Sequence, residues 1–95
     1  MKNDYLQVML KAISAYGRKD QTIVAIEEMA ELTKELVKRM RGNANTDAIT
    51  EEIADVEIML CQLKIMYDIK DDDLEKYKIM KLDRLKKRLE GRKNG

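Results

Sequence analysis

Four acidic residues stand out by type and spacing. Glu28 and Glu31 lie three residues apart, as do Glu52 and Asp55. On a helix that step stacks two side chains on one face. If the two pairs face each other across antiparallel helices, they form a nest of four carboxylates. Withdrawing such groups from water and crowding like charges is costly unless something neutralises them. A divalent cation is the natural neutraliser. The chain has no His and a single Cys, Cys61, so the donors of zinc and copper sites are missing. An all-oxygen set selects a hard ion, Mg²⁺ first with Mn²⁺ as its substitute.

The elements that must carry these residues can be read from periodicity and punctuation. The 95 residues contain no Pro and only four Gly, and Ala, Leu, Ile, Met, Lys and Glu dominate. These are mostly good helix formers. Four helices are expected, at about 4–15, 20–40, 47–67 and 72–90, within one domain covering 1–95. Asp20 is the expected N-cap of the second, with Gly42 as its stop. Thr46 or Asp47 should cap the third, and Asp71, Asp72 and Asp73 open the fourth. Short loops between long helices favour antiparallel neighbours, so the second and third helices should form a hairpin.

On the second helix, Ile26, Met29, Ala30, Thr33, Leu36, Val37 and Met40 form the expected core stripe, with Glu28, Glu31 and Glu35 opposite. On the third, Ile49, Glu52, Val56, Met59, Leu63 and Met66 follow alternating steps of three and four. Glu52 therefore holds a slot where an apolar residue is expected, and Asp55 sits at the edge of the same arc. The third helix is apolar nearly all round, with Ile58, Cys61 and Ile65 on its far side. The expectation is an all-α, four-helix bundle-type domain completed by another subunit.

Blander readings exist for each group. Glu31 can pair with Lys34, and Glu35 with Lys38 or Arg39, on an exposed face. Glu52 and Asp55 can form buried ion pairs with Lys78, Lys81 or Arg84 of the fourth helix. The two spaced pairs on one hairpin tip the balance toward metal. Cys61 falls opposite Glu52 and reads as packing, since no His is present to activate it. The methionines read as adaptable core and the tyrosines as core-edge residues.

With these residues in view, the strings Ile26-Glu27-Glu28-Met29-Ala30-Glu31-Leu32 and Glu51-Glu52-Ile53-Ala54-Asp55-Val56 resemble the ExxE…ExxD signature of the all-α nucleoside triphosphate pyrophosphohydrolases, the MazG-like superfamily. The likeness covers about residues 20–67 well and the fourth helix loosely. It implies a four-helix fold assembled as a homodimer or homotetramer. It also implies cleavage of an NTP or dNTP between the α and β phosphates, giving the monophosphate and pyrophosphate. By position, it implies Glu28, Glu31, Glu52 and Asp55 as Mg²⁺ ligands, with Glu28 the choice to orient or deprotonate the attacking water. Lys78, Lys81 and Arg84, repeating every three residues, are candidates for phosphate contact. Gln21 is similar to a position near the base pocket.

Phosphoribosyl-ATP pyrophosphohydrolases of the same superfamily share these strings. They usually carry a Tyr-His pair where this chain reads Ile58-Met59-Leu60-Cys61, which argues against them. A non-catalytic helical dimerisation or regulatory module is the alternative from a different class.

Bulk properties exclude other classes. There is no GK[ST] phosphate loop and no GxGxxG. No apolar run approaches the ~20 residues that span a bilayer, and no signal peptide is evident. A lone cysteine suits a reducing cytoplasm. Net charge is +1 but unevenly spread. Residues 42–63 hold five acidic residues and no basic one, while residues 74–93 hold nine basic and three acidic. Without aromatic interleaving or a recognised motif, nucleic acid is not the expected partner of that basic stretch. An acidic neighbour or a nucleotide's phosphates suits it better.

Overall fold

A computed structural model describes residues 3–94, with the side chains of 4–92. Within them the chain is all helical: α1 (Asn3–Tyr16), α2 (Arg18–Met40), α3 (Thr46–Met66) and α4 (Asp71–Asn94). No helix among them is long and apolar enough to cross a membrane.

The joints follow from local chemistry. A single residue, Gly17, separates α1 from α2. Its φ of 88° is a conformation that side-chain-bearing residues rarely adopt. Its N–H donates to the Ile13 carbonyl and its own carbonyl accepts from Gln21 N–H. The second helix thus begins at Arg18, two residues before the expected start, and Gly17 rather than Asp20 stands at its N-cap. At the other end Gly42 (φ 102°) and Asn43 donate to the Arg39 and Lys38 carbonyls, a Schellman stop. α3 ends in the same way, but with Asp68 in the left-handed position (φ 53°) and Ile69 N–H on the Lys64 carbonyl.

α2 and α3 form the expected antiparallel hairpin, and α1 leans on both. The side of α2 that faces α3 is that of Glu28 and Glu35, as the facing of the carboxylates requires, and not the apolar stripe expected as its core. Its covered residues are Gln21, Ala25, Glu28, Leu32 and Glu35, at alternating steps of four and three. The stripe read as its core is open instead: Ile26 is 61% exposed and Met40 88%, and Met29, Leu36 and Val37 are exposed too. That stripe lies about 110° round the helix from the inward one at 100° per residue, too far to reach α3. α3 turns in the series expected of it, with Ile49, Glu52, Val56, Leu63 and Met66 half-buried and Met59 buried.

The inward polar side of α2 is stitched to α3. Near one end Gln21 Nε2 donates to Gln62 Oε1 (2.7 Å), both residues being buried. Beside it, the Thr22 and Tyr67 hydroxyls share a hydrogen bond (2.8 Å), and the Arg18 guanidinium sits over the Tyr67 ring. At the other end Asn45 Nδ2 donates to both the carbonyl and Oε1 of Glu35, at 2.9 and 3.0 Å. Arg39 Nη1 donates to Thr46 Oγ1 (2.8 Å).

α4 packs on none of the other helices. Its root is held by an ion pair between Lys64 and Asp71 (2.9 Å). The radius of gyration is 17.1 Å, against about 12.4 Å for a compact domain of this length. The accessible surface is 7982 Å², against about 5,700 Å² for a folded monomer of this mass. Met9, Ala25 and Met59 are the only buried apolar residues among those described. The three packed helices are thus a slender unit with apolar faces open, rather than a closed four-helix bundle.

Candidate functional site

The three-residue steps bring carboxylates from two helices to one place. Glu28 comes from the inward stripe of α2, Glu52 from that of α3, and Asp55 from the next turn of α3. One oxygen from each can be chosen so that all lie within 4.8 Å of one another. Glu31, the fourth predicted ligand, is exposed and outside this trio, but its charge still acts on Glu28 and Glu52.

The electrostatics follow from this crowding. Loss of water around Glu28 raises its proton affinity above the ordinary glutamate value, and Asp55, Glu52 and Glu31 push in the same direction. Glu52 is raised too, first by desolvation and then by Asp55, Glu31, Glu35 and Glu51. Glu52 Oε2 is buried and has no hydrogen-bond partner. Among the described residues no Lys or Arg lies within ion-pair distance of Glu28, Glu52 or Asp55.

Glu35, farther along the same seam, is the internal contrast. Its side chain is only 13% exposed, but it accepts from Asn45 and pairs with Lys38 at 3.1 Å, and its carboxyl is held below the ordinary value. It serves as a clasp at the mouth of the hairpin.

The residues present suit a hard cation. Two oxygens bound to one magnesium lie about 3–4 Å apart, and carboxylate oxygens within 4.8 Å of one another are near that spacing. The orphaned Glu52 oxygen supplies an acceptor whose need no protein donor meets. Glu28, Glu52 and Asp55 would be the protein ligands, with Glu31 at the rim.

The other predicted residues fall elsewhere. Lys78, Lys81 and Arg84 are exposed on α4, and within the chain they do not meet the carboxylates. They therefore make no ion pair with Glu52 or Asp55. Gln21 is spent on Gln62 in the seam. Cys61 is half-buried. Sequence reasoning missed Asn45 and Gln62. Asn45 carried a signal as a residue with helix-capping chemistry just before α3, whereas Gln62 had none without knowledge of the helix pairing. No family model, characterised protein sequence or solved structure matches the chain.

Proposed function

We propose that the chain is a Mg²⁺-dependent nucleoside triphosphate pyrophosphohydrolase that works as a homo-oligomer. The observation that carries the reading is the buried, unpartnered Oε2 of Glu52 beside Glu28 and Asp55, with no basic residue at hand. A seam built only for stability would give that oxygen a donor, as it does for Glu35. The resemblance of the ExxE and ExxD strings to the MazG-like superfamily supplies the reaction class.

In this reading Glu28, Glu52 and Asp55 hold the ion, and Glu31 adds negative charge at the edge. When bound, magnesium offsets the charge of phosphate oxygens and acidifies water. Glu28, whose proton affinity is already raised, orients a water and accepts its proton as the oxygen bonds to the α phosphorus. The bond from that phosphorus to the bridging oxygen breaks, and pyrophosphate leaves. The hairpin itself holds the carboxylates at fixed spacing before substrate arrives. Lys78, Lys81 and Arg84 would reach a substrate's phosphates only from another subunit's α4, since they do not approach the carboxylates of their own chain.

The test is release of pyrophosphate from a panel of NTPs and dNTPs, with and without Mg²⁺. Turnover that needs the metal and disappears in Glu52→Gln and Asp55→Asn supports the reading. A purified oligomer inert across the panel would favour a non-catalytic helical dimerisation module, a reading that the many exposed apolar residues also accommodate.

A further inference from the structure

α4 is a helix without a partner in its own chain. It packs on none of α1, α2 and α3. Leu82, Leu85 and Leu89 recur along it at steps of three and four, and all three are exposed. Lys86 and Glu90 flank them on the same open face. An uncovered helix is marginal in water, and a leucine seam is the usual device by which such a helix finds support. A second uncovered face lies on α2, where Ile26, Met29, Leu36, Val37 and Met40 form one stripe.

Area and charge together select what covers these faces. The surface in excess of a folded monomer's is about 2,300 Å² per chain. Hiding it in two chains would bury over 4,000 Å², the class of obligate dimers rather than transient encounters. Residues 74–93 carry nine basic residues against three acidic. α3 carries Asp47, Glu51, Glu52, Asp55 and Glu57 against Lys64 alone. Laying α4 against another α4 sets like charges together, whereas α2 is balanced, with five basic and five acidic residues, and belongs to a hairpin that the acids of α3 make negative, so laying α4 there avoids that repulsion.

We infer that α4 is exchanged between two copies of this chain, with Leu82, Leu85 and Leu89 seated on the apolar stripe of the other copy's α2. The inference rests on the self-association proposed above. The exchange supplies each acidic hairpin with the basic helix that its own chain holds away from it.

Sedimentation equilibrium of the full chain and disulfide trapping in a Cys61→Ser background test it together. Chains carrying Leu82→Cys, Leu85→Cys or Leu89→Cys are mixed with chains carrying Ile26→Cys, Met29→Cys or Val37→Cys and oxidised. The products are identified by mass. A dimer or larger assembly in which α4-to-α2 bonds between different chains outnumber α4-to-α4 bonds is the expected result. Predominant α4-to-α4 bonds, or no interchain bond at all, would overturn the exchange while leaving self-association in place. Bonds within one chain in doubly substituted variants, showing α4 folded back on its own hairpin, would also overturn it. A monomer in sedimentation would remove the self-association as well. Leu85→Asp should convert the assembly to monomer. If that variant fails to fold, the trapping result in the otherwise native chain still decides.

Discussion

Glu35 and Glu52 share one seam and are shifted in opposite directions. Glu35 accepts from Asn45 and Lys38, and its carboxyl is held below the ordinary range. Glu52 has an oxygen with no partner, and its carboxyl is held above that range, with Glu35 itself contributing to the push. The same hairpin thus neutralises one inward acid and leaves the other exposed to its neighbours' charge. This difference separates a clasp from a candidate ion site, and it makes the stability of the protein depend on pH in a specific way.

Without divalent metal, stability should rise as pH falls from neutral toward the ordinary glutamate value of 4.5. Glu28 and Glu52 bind protons more readily folded than unfolded. The folded state therefore gains a proton first, and acidification through their raised values favours it. Below that window the sign reverses. Glu35 and Asp71 have lowered values, so their stabilising contribution is present above the ordinary carboxylate range and is lost as pH falls through the folded values. Thermal melts by circular dichroism from pH 4 to 8 should show a maximum on the acid side of neutral. Adding MgCl₂ should raise Tm at neutral pH and shift that maximum upward. A flat profile, indifferent to magnesium, would count against cation binding at the trio.

Glu52→Gln should raise Tm in the absence of metal, because it removes a desolvated like charge from beside Glu28 and Asp55. The same change should abolish the magnesium-dependent rise in Tm and cut pyrophosphate release by at least about 100-fold. Asp55→Asn should behave alike. Glu31→Gln, at the rim, should have the smaller effect on the metal-dependent Tm rise. If Glu52 were instead a structural anchor, its substitution would lower Tm under all conditions.

Much of this arrangement was legible from residue spacing alone. The four helices, the antiparallel hairpin and the inward turn of Glu52 all follow from periodicity and punctuation. The openness of the apolar stripe of α2 did not, for a physical reason. Burial favours the most apolar stripe, and Ile26, Met29, Leu36 and Val37 form it, but the chain turns Gln21, Glu28 and Glu35 to α3 instead. Periodicity says which residues share a face of a helix, but not which face is turned to which neighbour. The polar face went to α3 because Gln62 of α3 and Asn45, just before it, are mates for Gln21 and Glu35. Gln21 and Gln62 are 41 residues apart, so no window of local sequence contains both, and Glu35 and Asn45, ten apart, meet only once the hairpin turn has formed. The independence of α4 was equally hidden, since its helix-forming residues say nothing of what it packs on.

Gly17→Ala should destabilise the protein by about 1–3 kcal/mol. An added Cβ would meet nothing within 4 Å, so the cost is purely that of φ at 88°. That separates it from a packing defect, because a serine at this N-cap can offset part of the backbone cost by capping α2, so Gly17→Ser should cost no more than Gly17→Ala despite its larger side chain. Denaturant melts of both variants check this. A larger loss for Ser would show that space, not backbone conformation, limits the joint between α1 and α2.

Gln21 offers the sharpest choice between a binding residue and a seam residue. Its Nε2 donates to Gln62 Oε1 at 2.7 Å, and both side chains are buried. Gln21→Leu or Gln62→Leu alone leaves the surviving amide buried without its mate, at about 1–3 kcal/mol. Replacing both removes the stranded group and adds apolar packing, so the double variant should recover most of that loss. Denaturant melts of the four proteins give the coupling directly. Kinetics on the double variant then address the base-pocket expectation. A residue that serves only the seam leaves KM for a nucleotide within about twofold once stability is restored, whereas a residue that also touches the base raises KM however stable the protein becomes.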